Sequence, residues 1–115
     1  MKSEILAEKI CKILSDKKGE NVVTVNVSSK TSVADYFVIA TGGSITQVKS
    51  LCDILEEELE KEGVVAIRKE GFKEGRWACL DYGEVIVHIF NDESRLFYHL
   101  ETLWGDQDNI KKYEG

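Results

Sequence analysis

The segment that most constrains the fold is "RWACLDYGEVIVHIF", residues 76–90. Two apolar runs flank a short Tyr-Gly-Glu turn, the pattern of an antiparallel hairpin. With Gly83 and Glu84 as the central pair, Tyr82 lies opposite Val85, Leu80 opposite Val87, and Ala78 opposite Ile89. Side chains alternate along a strand, so this set shares one face. It is apolar apart from a phenol tip and belongs on a core. The other face pairs Trp77 with Phe90, Cys79 with His88, and Asp81 with Ile86. Moving the turn back by one residue changes the partners but not the faces. It would also set Asp81 against Glu84, which like charges disfavour.

The rest of the chain supplies what this hairpin packs against. Leu6, Ile10, Ile13 and Leu14 are spaced to line one side of a helix over about 2–15, with Gly19 as its breaker. "VVTVNV" (22–27) alternates Val23, Val25 and Val27 with Thr24 and Asn26, the mark of a half-buried strand. "YFVIAT" (36–41) is almost continuously apolar and suits a central strand covered on both faces. "GGSITQV" turns that strand into a second helix, with Ser44 and Gln47 three apart as a capping box. Val48, Leu51, Cys52, Leu55 and Leu59 form its apolar stripe. "VVAIRK" (64–69) reads as a strand, and a last helix is expected over roughly 94–104. The order α-β-β-α-β-β-β-α predicts an α/β (α+β) fold with a mixed five-stranded sheet and helices mainly on one side. Residues 1–106 are read as one domain, and 107–115 as a polar tail that frays.

Composition narrows the function. The chain has 115 residues and a formal net charge of −6. Nucleic-acid binding needs clustered Lys and Arg against phosphates, and no such cluster exists here; an acidic surface better suits a basic protein. No apolar run approaches the roughly 20 residues that span a bilayer. The N-terminal pattern carries Glu4 and Glu8, which fits neither a signal nor a transit peptide, so a cytoplasmic location is expected. Cys11, Cys52 and Cys79 are odd in number and far apart, and read as reduced, buried thiols rather than a disulfide frame or zinc site.

Two places invite a catalytic reading. The turn Gly42-Gly43-Ser44 puts backbone N–H groups at a helix start, where anions bind, but it matches neither a P-loop nor a dinucleotide motif. A strand, a Gly-Ser turn and a helix also open nucleotidyltransferase domains, which place paired aspartates on the next strand for metal. "VVAIRK" has no acid, which leaves capping as the main explanation of the turn. An enzyme using Asp35, Asp81 or Glu84 for metal is the alternative. The second place is the hairpin face of Trp77, Asp81, His88 and Phe90. Cys79 and His88 could be neighbours there, yet a flat sheet offers no cleft or oxyanion hole for nucleophilic catalysis. Aromatics ringed by polar groups instead have the composition of an interface. The final helix adds Arg95, Tyr98 and Glu101 at three-residue steps beside its apolar stripe. The run "EEELEKE" (56–62) reads as a solvated helix side.

"ADYFVIATGGS", "EG" at Glu70-Gly71, "W…LDYGEVIVHIF" and "R.FYHLETLWGD" together resemble the ribosomal silencing factors, the Iojap-like family, from about residue 22 to 106. The resemblance implies a non-enzymatic protein with a nucleotidyltransferase-like fold that lacks the catalytic carboxylates and uses no cofactor. It implies binding to the large ribosomal subunit through a basic ribosomal protein, the fourteenth of the large-subunit series, at the intersubunit face. Joining of the small subunit is thereby blocked when nutrients run short. Family members also occur as dimers. The family's docking region falls on C-terminal motifs that contain Trp77, Asp81, Tyr82, His88, Arg95, Tyr98 and Trp104 here, and Phe90 shares the same sheet face. Periodicity points Tyr82 and Trp104 inward, so these two are candidates for core instead of contact.

Overall fold

The computed structural model describes residues 2–71, 76–91 and 108–114. In chain order the elements are α1 (Ser3–Asp16), β1 (Glu20–Asn26), β2 (Tyr36–Gly42), α2 (Ile45–Glu60), β3 (Arg68–Glu70), β4 (Trp77–Asp81), β5 (Val85–Asn91) and β6 (Ile110–Lys112). The strands form one mixed sheet in the order β3-β4-β5-β2-β1-β6. Only β2 and β5 run parallel; every other neighbouring pair is antiparallel. The expected final helix over 94–104 lies outside the described residues.

The hairpin register agrees pair for pair with the pattern of the sequence, from Trp77 opposite Phe90 to Asp81 opposite Ile86. Tyr82 N–H donates to the Val85 carbonyl at 2.9 Å. Gly83 alone of the central pair has positive φ, at 88°, as a type II′ turn requires. Both helices pack on one side of the sheet. Leu6, Ile10 and Leu14 of α1 and Val48, Leu51, Leu55 and Leu59 of α2 join Val38, Ala40, Ala78, Leu80, Val85, Val87 and Ile89 in one core. Fully burying each of these Val, Leu and Ile side chains stabilises by roughly 1.5–3 kcal/mol. A second cluster on the opposite face gathers Val23, Val25, Phe37, Ile39, Ile86 and Phe90.

Helix ends follow local chemistry. The Ser44 hydroxyl accepts from Gln47 N–H at 3.1 Å. The Gln47 amide oxygen accepts from Gly43 N–H at 2.9 Å, and its nitrogen donates to the Lys18 carbonyl at 3.0 Å. The capping box therefore also ties the start of α2 to the end of α1. At the end of α1 the left-handed residue is Lys18, with φ 72°, instead of Gly19. Gly19 is needed for close approach: a Cβ there would sit 2.7 Å from the Leu14 carbonyl oxygen.

Three expectations need correction. The sheet has six strands among the described residues, because residues 110–112 do not fray but pair with β1. Asn26 N–H donates to the Asn109 carbonyl and Tyr113 N–H to that of Val22, both at 2.9 Å. A polar strand with Lys111 and Lys112 suits an exposed sheet edge, which is why polarity misled. The strand expected at 64–69 forms ladder pairs only over Arg68–Glu70. Arg68 already faces Asp81, the last residue of β4, so the residues before it run past the hairpin turn without a strand to pair with. The shifted strand is also no longer acid-free, since it ends in Glu70. Finally, the acidic side of α2 is not simply solvated. Glu56 reaches Lys69 of β3 at 3.0 Å, and Glu62 pairs with Lys9 of α1.

Candidate functional site

The sheet face away from α1 and α2 is built from alternate residues of neighbouring strands. β4 contributes Trp77, Cys79 and Asp81; β5 contributes Ile86, His88 and Phe90; β2 contributes Phe37 and Ile39. Trp77 stands opposite Phe90 and diagonal to His88, a distance that large aromatic side chains bridge. Three rings stack nearly parallel: Trp77 and His88 with centroids 6.3 Å apart, His88 and Phe90 6.2 Å, and Trp77 and Phe90 6.5 Å. Phe37 meets His88 edge to face at 5.2 Å.

This face is less open than the residue types imply. Trp77, Cys79 and Asp81 are half-buried, but His88 is only 8% exposed and Phe90 only 1%. His88 and Phe90, expected among the partner-binding residues, lie beneath the surface of this face. β5 is a central strand whose residues 85–90 are all buried, and β4 lies one strand nearer the edge. Tyr82 belongs to the opposite, helix-side core, as its pattern indicated. Its hydroxyl is buried with no hydrogen-bond partner among the described residues, and burial pushes the phenol pKa upward. Asp81 caps the hairpin turn by accepting from Gly83 N–H at 2.8 Å. Arg95, Tyr98 and Trp104 lie outside the described residues.

Two features escaped the sequence pattern. Val65 and Ile67 are exposed at 64% and 69%, and Ile67 N–H donates to the Asp81 carbonyl at 2.7 Å. They add apolar surface beside the turn. The signal was the alternation in "VVAI", where Val64 and Ala66 pack on the core. The other feature is Gly71. With φ 73°, a Cβ there would lie 2.4 Å from the Trp77 carbonyl oxygen and 2.8 Å from the indole Cε3. Only glycine lets the chain pass this close to Trp77. Gly71→Ala should therefore cost about 1–2 kcal/mol of stability and shift the tryptophan environment, measured by thermal unfolding and by near-UV circular dichroism.

His88 is held as a neutral ring. The indole N–H of Trp77 donates to His88 Nδ1 at 3.3 Å, so the imidazole proton sits on Nε2. Burial lowers its pKa from the ordinary 6.5 to about 4. The unfolded chain thus binds this proton more readily between those two values. Stability contributed by neutral His88 is complete above about pH 6.5 and is lost as pH falls toward 4. The melting temperature should decline across that window, and His88→Phe should flatten this part of the decline.

The chemistry available here is weak. Burial pushes the Cys79 thiol up to about 11 while His88 falls to about 4. A nucleophilic pair needs a thiolate and a base near neutrality, so both shifts run the wrong way. Cys11 and Cys52 are buried and raised to about 12. At the Gly42-Gly43-Ser44 turn the Gly43 and Gln47 N–H groups are already engaged within the chain. Gly42 packs so closely on α2 that a Cβ would lie 2.8 Å from Val48 Cγ2. Among the described residues no group of three or more His, Cys, Asp or Glu could hold a metal ion.

The described residues thus form a mixed α+β sheet with two helices on one side and an aromatic cluster on the other. The model for the family described as ribosomal silencing factor during starvation matches residues 1–114. Ribosomal silencing factor RsfS of Halalkalibacterium halodurans is 34% identical over 111 residues, covering 96% of this chain and 95% of that protein. Its counterpart in Bacillus subtilis is 37% identical over 91 residues, covering 79% of this chain and 77% of the relative. A crystal structure of a Chromobacterium violaceum protein superposes with a TM-score of 0.88 at 30% identity, over 100% of this chain and 95% of that one. The chain belongs to the ribosomal silencing factor family. Its relatives are named as silencing factors, and it is a regulatory protein, not an enzyme.

Proposed function

We propose that this protein represses translation by binding the large ribosomal subunit through a basic ribosomal protein, the fourteenth of the large-subunit series, and occluding the small subunit. The family match over residues 1–114 is the observation that carries this reading. The net charge of −6 suits a basic partner and speeds encounter with it. In the family's terms the fold is nucleotidyltransferase-like, reused for binding. The protein works in the cytoplasm; among the described residues no helix is long and apolar enough to cross a membrane.

Contact is assigned to Trp77 and Asp81, joined by Arg95, Tyr98 and Trp104 from the family's C-terminal motif. His88 and Phe90 support the contact from beneath, and Tyr82 anchors β4 to the helix side. The mechanism is steric: bulk resident on the intersubunit face excludes the other subunit, and no bond is made or broken. An interface of about 1,600 Å² in total is the usual size for such a complex. Light scattering during subunit mixing tests the mechanism. Addition of the protein should lower the fraction of joined ribosomes in proportion to its occupancy of large subunits. Full joining in the presence of saturating protein would refute occlusion.

A further inference from the structure

We propose that His88 is a positioning residue for docking: its Nδ1 accepts the Trp77 indole N–H and fixes the ring in the orientation that meets the large subunit. The inference rests on the docking reading above and deepens it, because it gives a buried residue a role at a surface it does not reach. His88 is enclosed by Phe37, Trp77 and Phe90 at centroid separations of 5.2, 6.3 and 6.2 Å. Stacking of that kind would serve equally well with a phenylalanine. What the imidazole adds is a single acceptor, Nδ1, placed 3.3 Å from Trp77 Nε1.

That acceptor comes at a cost elsewhere on the ring. Fixing Nδ1 as the acceptor puts the proton on Nε2, and Nε2 is buried without a hydrogen-bond partner among the described residues. A purely structural side chain in this place would do better with no polar atoms at all. The indole gains from the same bond. Its plane lies 12° from that of the imidazole, and Gly71 passes so close to the indole that a Cβ there would lie 2.8 Å from Cε3. Between them the glycine and the histidine limit the rotation of a half-buried tryptophan. Binding through an anchor already in place avoids the ordering cost that a mobile side chain incurs on association.

The experiment titrates labelled protein against isolated large subunits for wild type, Trp77→Ala, His88→Phe, His88→Asn, Trp77→Phe and the Trp77→Phe/His88→Phe double variant. His88→Phe keeps a ring and loses the acceptor. It should bind roughly fivefold more weakly, the effect of one hydrogen bond, with a melting temperature no lower than that of wild type. In the Trp77→Phe background, which has no indole N–H, the same change should have no further effect. His88→Asn places its side-chain oxygen near the former Nδ1 and should bind within about twofold of wild type, although the lost ring lowers its stability. The Trp77 indole N–H resonance, identified as the one missing in Trp77→Phe, should move in His88→Phe and hold its place in His88→Asn. Wild-type binding by His88→Phe, or an equal loss in the Trp77→Phe background, would overturn the inference. If Trp77→Ala also binds as wild type does, the docking reading falls with it; a loss for Trp77→Ala beside none for His88→Phe removes the inference alone.

Discussion

Replacing Phe90 with alanine should destabilise the protein by about 3–5 kcal/mol and lower its melting temperature by more than about 10 °C. Phe90 is 1% exposed, the largest fully buried side chain among the described residues, and lies in the second core cluster with Ile39 and Val25. Its ring stacks on Trp77 and His88, so truncation opens a void under the candidate contact. The outcome separates two roles that residue type alone confuses. A contact residue loses binding and keeps the fold; a supporting residue loses the fold first. Phe90→Leu, which retains most of the volume, should melt a few degrees lower and bind large subunits as the wild type does. A Phe90→Leu protein that melts normally but no longer binds would place Phe90 in the interface after all.

Trp77→Ala should behave in the opposite way. A tryptophan on a rigid strand at the centre of an interface is a typical anchor, and removing one costs on the order of 2 kcal/mol or more, roughly thirtyfold in affinity. Trp77 is only half-buried, so its truncation should cost the fold less than that of Phe90. Titration of large subunits gives the affinity, and far-UV circular dichroism with thermal unfolding confirms that the variant folds. Unchanged affinity in a folded Trp77→Ala protein would move the docking surface elsewhere on the molecule.

Much of this fold was legible from residue order. The hairpin register followed from alternation and turn chemistry alone, because a one-residue slip would exchange core and surface on both strands. The stripes of α1 and α2 were equally plain, as was the continuous apolar run of β2. Patterning failed where local composition does not determine the partner. Residues 110–112 read as tail because the edge they cover, that of β1, lies more than eighty residues away in sequence. "VVAIRK" has strand character throughout, but where its ladder begins depends on where β4 ends. For the site, faces were readable and depth was not. Alternation put Trp77, Asp81, His88 and Phe90 on one face, while the burial of His88 and Phe90 is a property of the assembled protein that a strand pattern does not carry. Gly71 shows the same limit: its need for a positive φ beside the Trp77 backbone appears only once β3 and β4 are side by side.

Sedimentation of the purified protein with separated large and small ribosomal subunits tests the central claim most directly. The protein should pellet with the large subunit and not with the small one, and an excess of the isolated basic ribosomal protein should release it into the supernatant. Recovery with both subunits alike, or with neither, would contradict a docking role for the Trp77 face.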